Sequence, residues 1–130
     1  LLEAVDRASL KHDPYRFLPQ VRAGVGQAMG MSLIERLRVD LLAMCICSNH
    51  VHFMTGPTRA HVEAIVKCAK DAVRWHLRID RPIWGAGYDK RFCFDTKAVV
   101  NRINYVEEHN LEDGLDARPW TFLKPCAYPH

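Results

Sequence analysis

The sequence predicts an α+β domain, an antiparallel hairpin covered by amphipathic helices, and three observations carry that reading. Val39–Cys47 and His50–Met54 are short apolar runs separated only by Ser48-Asn49, the spacing of a β-hairpin. Between Thr58 and Ile79, the residues Val62, Ile65, Val66, Ala69, Val73 and Leu77 recur with the period of a helix whose apolar stripe packs on a sheet. Val99, Ile103 and Val106 repeat that period further on.

Each element has its own signals. Asp13-Pro14 offers an N-cap and a first-turn proline for an N-terminal helix, in which Phe17, Leu18, Val21, Val25 and Met29 mark one face and Gly30 is the expected stop. Ser32 with Glu35 reads as a capping box for one further short turn. The hairpin follows, its second strand stopped by Gly56-Pro57, and Thr58 is the expected cap of the long helix. Pro82 ends that helix, Trp84-Gly85-Ala86-Gly87 reads as a loop, and Arg91–Phe94 as a short strand. Asp95 or Thr96 caps a last helix reaching about Asn110, and Gly114 lies beyond its end. Prolines 119, 125 and 129 then suggest an irregular tail from about residue 116.

The 130 residues contain no internal repeat or linker, so residues 1–130 read as one domain, long enough to bury a core without staples. The five cysteines include no C-x-x-C pair, and an odd count argues against a secreted disulfide framework; a reducing cytosol is the expected home. No stretch approaches the roughly 20 apolar residues of a membrane span. Leu1 reads as a cut end, with something upstream expected to be missing. The net charge of +3 hides an asymmetry: residues 67–102 hold nine Lys or Arg against four Asp, a local +5 that points to a polyanion. Lys67, Lys70, Arg74 and Arg78 stack into a basic ridge on the long helix, away from its apolar stripe.

Chemistry concentrates in Asn49-His50-Val51-His52-Phe53. Side chains alternate along a strand, so His50 and His52 project from one face and two imidazoles there can share a metal ion. On the last helix, Tyr105 and His109 stand one turn apart with Arg102 on nearly the same stripe, along the border of the buried side.

Read together, these motifs resemble the single-tyrosine HUH transposases, the IS200-like type and more closely the REP-associated tyrosine transposases. The resemblance runs from about Val39 to Trp120. Residues 43–53, Ala-Met-Cys-Ile-Cys-Ser-Asn-His-Val-His-Phe, are similar to the family's strand, turn and M-P-N-H-V-H signature. Trp84 to Arg91 is similar to its W-Q-x-x-Y-x-D segment, through Tyr88 and Asp89. Residues 105–115 match its Y-I-H-x-N-P-V-x-A-G-L element in length and in Tyr, Gly and Leu, and Pro119-Trp120 resembles the Y-P-W that follows.

The resemblance implies a ferredoxin-like antiparallel sheet with helices packed on it, and a metal-dependent enzyme of the bacterial nucleoid that cuts and rejoins single-stranded DNA at hairpin-flanked sites. Tyr105 is then the nucleophile, and His50, His52 and His109 surround a divalent ion, Mg²⁺ or Mn²⁺. A tyrosine hydroxyl, with a reference pKa of about 10, needs such help at neutral pH. Lys67, Lys70, Arg74, Arg78, Lys90, Arg91 and Arg102 are the expected DNA contacts. A monomer is favoured over a homodimer, with no membrane or small-molecule substrate. The sequence departs from the pattern at Ser48, which replaces the turn proline, at His109, a Gln or Asn in many relatives, and at Asn110-Leu111, which replaces Pro-Val. Three imidazoles also suit Zn²⁺, Cu²⁺ or Ni²⁺. The family's first strand has no recognisable counterpart after Leu1, so the sheet is expected to lack an inner strand.

Two other readings fail on the residues and one rival stands. Histidine-triad nucleotide hydrolases need a third histidine where Met54 stands, and the Cys and His spacings fit no zinc module. The rival from another class is a domesticated hairpin-binding protein of the same fold that no longer cleaves, in which Trp84 or Tyr88 stacks on unpaired bases.

Overall fold

A computed structural model describes residues 2–7, 15–79, 89–93 and 95–125, and for β1 and β4 largely the backbone. Its elements are β1 (Leu2–Arg7), α1 (Pro19–Leu37), β2 (Leu41–Ile46), β3 (His50–Thr55), α2 (Val62–Leu77), β4 (Asp89–Phe92) and α3 (Thr96–Glu112). The four strands form one sheet in the order β2-β3-β1-β4. Every neighbouring pair is antiparallel. The first six elements run βαββαβ, the ferredoxin-like arrangement that was expected, with α3 added.

The expectation of a missing first strand is overturned. Leu2–Arg7 lies inside the sheet, with Ala4 opposite Phe53 on one side and Lys90 on the other. The segment Leu-Glu-Ala-Val-Asp-Arg is short, half charged and poor in β-formers, so it carries almost no strand signal of its own. Two neighbours, rather than its own propensity, make it a strand.

The hairpin is as tight as expected: the Cys47 amide donates to the His50 carbonyl at 2.9 Å across Ser48-Asn49. A register shift between Leu41 and Ala43 inserts Leu42 as a bulge. Its effect is visible in the packing. Leu41, Met44 and Ile46 join Val51 and Phe53 under α1 and α2, while both Leu42 and Ala43 turn with Cys45 and Met54 toward α3.

Helix α1 corrects three sequence expectations. It starts at Pro19, behind an extended Leu18 with no side-chain cap, whereas Asp13-Pro14 lies outside the described residues. It continues through Gly30 to Leu37, and Ser32 lies within it, so no separate capping box forms. The glycines are there for close approach. A Cβ on Gly26 would fall within the Trp120 ring, and one on Gly30 within the Phe122 ring. Those two rings stack nearly parallel, 13° apart, and the Trp120 indole donates to the Ala23 carbonyl at 3.0 Å. The helix ends instead at Arg38, a left-handed residue with φ of 56° whose amide donates to the Ile34 carbonyl.

Helix α2 begins after His61, not at Thr58, whose hydroxyl accepts from the Ala60 amide in the turn before it. Helix α3 is capped by Asp95 as expected, its carboxylate accepting from the Ala98 amide at 2.8 Å. It runs to Glu112, two residues past the expected end, and Gly114 with φ of 79° turns the chain back. The tail is fastened rather than loose. Asn110, buried in α3, donates to the carbonyls of Met44 and Ala117, and Arg118 donates to Leu42, Lys124 and the Glu107 carboxylate. These bonds lock α3 against β2. Among the described residues no helix is long and apolar enough to cross a membrane.

Candidate active site

The site is built where β3 meets α3. Alternation along β3 sends Val51 and Phe53 into the core below α1 and α2, and leaves His52 facing the other way with Met54. Val99, Ile103 and Val106 seat α3 on that face, which carries Tyr105 along its border. The His52 and Tyr105 rings lie 5.8 Å apart between centroids, and Tyr105 and His109 lie 4.8 Å apart, edge to face. The Arg102 guanidinium sits 4.6 Å over the Tyr105 ring, within cation–π range. His52 is buried, whereas Tyr105 is 44% exposed and accessible to a polymer. His50 is half-buried at the hairpin turn, its Nδ1 3.0 Å from the Asn49 side-chain oxygen.

Two cysteines, which the sequence analysis did not assign to the site, complete the surroundings. Cys45 is fully buried opposite His52, and its sulfur is 3.8 Å from that of Cys47. The hydrogen bond they share, followed by one with His50 and the charges of His50 and His109, pulls the Cys47 thiol well below the usual thiol range despite its partial burial. Cys45 is pushed the other way by the same bond and by burial. The two-residue turn makes Cys47 and His50 direct partners, so the signal for Cys47 was present in the hairpin spacing itself.

Among the described residues no group of three or more His, Cys, Asp or Glu side chains stands close enough to hold a metal ion. His50, His52 and His109 accordingly form no closed donor set. His109 also lies 4.0 Å from the Glu112 carboxylate.

The expected DNA contacts divide between the two faces of the sheet. Arg102 belongs to the tyrosine site. Lys67, Lys70 and Arg74 lie on α2 and Arg78 is its left-handed C-cap with φ of 55°; the helix packs with α1 on the opposite face, and Lys67 is bonded to Asp71 at 2.6 Å. Lys90 and Arg91 stand on edge strand β4, opposite Ala4 and Glu3 of β1. Trp84 and Tyr88 lie outside the described residues.

The chain has the fold of known transposases. It superposes on a REP-associated tyrosine transposase bound to a REP hairpin with a TM-score of 0.63 and 13% identity, over 93% of this chain and 73% of that one. It superposes on a proposed transposase from Deinococcus radiodurans R1 with a TM-score of 0.57 and 19% identity, over 83% and 89%. No family model and no curated protein matches the sequence.

Proposed function

We propose that this protein is a single-tyrosine transposase that cuts and rejoins single-stranded DNA at hairpin-flanked sites. The observation that carries the reading is the convergence of an exposed Tyr105 with His52, His109 and the Arg102 cation on a transposase fold. Hairpin DNA as the partner is supported by the hairpin bound to the first of the two similar structures.

The Tyr105 hydroxyl attacks a backbone phosphorus. The new oxygen–phosphorus bond forms as the bond to the 3′ oxygen breaks, leaving a 5′-phosphotyrosine and a free 3′-hydroxyl. The phenol gives up its proton and the 3′ oxygen gains one, so protons balance and the bond energy is retained for rejoining. His52 and His109 flank the phenol on the two elements that hold it and are the rings placed to move those protons. Arg102 places a fixed positive charge beside the phosphate as its negative charge grows. A divalent ion, Mg²⁺ or Mn²⁺, is proposed on the resemblance alone; His50, His52 and His109 would be its ligands after closing on it and it would polarise the phosphate, and an imidazole bound to the ion would not also carry a proton.

The test uses hairpin DNA labelled at either end, incubated with Mn²⁺ or with chelator and resolved by denaturing electrophoresis. A chelator-sensitive adduct on the 3′-labelled fragment is expected. A chelator-resistant adduct contradicts the metal. The open donor set favours a second reading, a hairpin-binding protein that no longer cleaves. Salt-sensitive hairpin binding without any adduct selects that reading.

A further inference from the structure

The proposed reaction leaves unused the outer stripe of α2, on the sheet face opposite Tyr105. Lys67, Asp71, Arg74 and Trp75 share this stripe at helical spacing, turned away from the buried Ile65, Val66, Ala69 and Val73, and Arg78 follows as the left-handed C-cap. Trp75 is 82% exposed, more than any other large apolar side chain described. It lines an open groove of about 690 Å³ together with Asp71, Arg74, Arg78 and Ile79. Asp71, the carboxylate among the described lining residues, is bonded to Lys67. Among the described residues the buried Nε of Arg74 has no hydrogen-bond acceptor.

An exposed aromatic ring in a groove that two arginines also line matches a nucleotide: a base offers a π surface and its phosphates offer acceptors. A paired base has both faces covered by its neighbours, so unpaired nucleotides fit better than duplex. A lipid surface fits poorly, because the apolar stripe of α2 is already buried and Trp75 would be a lone anchor.

We infer that the outer stripe of α2 is a second nucleic-acid contact, taking unpaired nucleotides by stacking a base on Trp75 while Arg74 and Arg78 hold the flanking phosphates. The inference rests on the transposase reading for the identity of the polymer as DNA. Strand would thus be held on one face of the sheet and cut on the other.

The full chain is titrated with an oligothymidylate and with blunt duplex of equal length, reading tryptophan emission and fluorescence anisotropy. Preference for the single strand, with quenched emission, is expected. Trp75→Ala should remove most of the quench and weaken oligothymidylate binding roughly tenfold. The double substitution Arg74→Gln, Arg78→Gln should lower the salt slope of binding by about two. Circular dichroism confirms that each variant is folded. Wild-type affinity in folded Trp75→Ala overturns the inference, as does sedimentation showing that this substitution abolishes self-association instead. The hairpin adduct made by the unaltered protein separates the two proposals. An adduct without Trp75-dependent binding leaves the transposase reading and removes the α2 contact; Trp75-dependent binding without an adduct does the reverse.

Discussion

Beneath α1 and α2 the sheet is covered by bulky, fully enclosed side chains, Phe17, Met29, Leu33, Met44 and Ile65 among them, and the tail adds Trp120. Beneath α3 the covering is thinner and softer: Cys45, Met54, Val99, Ile103 and Val106, bordered by His52, Tyr105 and His109. The same six residues of β3 serve both sides, because alternation sends Val51 and Phe53 one way and His52 and Met54 the other. The main core and the proposed chemistry are thereby separated by the thickness of one strand. A ring on the α3 side is held in place by a core that contains none of the groups proposed to react. Substitutions should accordingly fall into two kinds, those that remove activity from a folded protein and those that unfold an otherwise complete site.

The largest effect expected is on the chemical side. Tyr105→Phe should lower adduct formation by at least about a thousandfold, as loss of a nucleophile does, while stability moves by no more than about 0.5 kcal/mol. A matched pair of adduct assay and thermal melt checks both halves. On the other side, Leu33→Ala leaves a cavity in the α1 layer and should cost about 2–5 kcal/mol in urea unfolding. Any residual folded fraction should still form adduct. Gly26→Ala forces a methyl group into the Trp120 ring and should cost about 1–3 kcal/mol, with Trp120 emission shifting to the red as the tail lifts from α1. The smallest effect comes from Asp95→Ala, which removes the α3 cap at a cost of about 1 kcal/mol. Hydrogen exchange should then rise first at Ala98 and Val99, before any change under α1. If instead the Asp95 variant loosened both faces equally, the separation of the two sides would fail.

Much of this division could be read from the chain. The apolar runs on either side of Ser48-Asn49 yielded the hairpin, and the alternation of His50, Val51 and His52 put the imidazoles on one face. Asp95, Val99, Ile103 and Val106 located α3, and the i, i+4 spacing of Tyr105 and His109 brought their rings together. The features that local sequence does not carry depend on tertiary partners. Strand β1 exists because β3 and β4 flank it, not because Leu2–Arg7 favours extension. Gly26 and Gly30 look like helix breakers until Trp120 and Phe122, some ninety residues on, are seen to occupy the space of the absent side chains. Helical periodicity put Lys67, Lys70, Arg74 and Arg78 on one ridge, yet periodicity carries no information about which side of the sheet a helix covers. That choice set the ridge apart from Tyr105.

The central claim is that one tyrosine on the α3 side performs the cut. Of the four tyrosines in the chain, Tyr15 packs edge to face against Phe17 at 5.3 Å on the far side, and only Tyr105 lies between imidazoles among the described residues. Proteolysis of the purified DNA adduct followed by mass spectrometry reads the linkage directly. The account predicts a nucleotide attached to the peptide bearing Tyr105 and to no other. A nucleotide on Tyr15, Tyr88 or Tyr128 would contradict it.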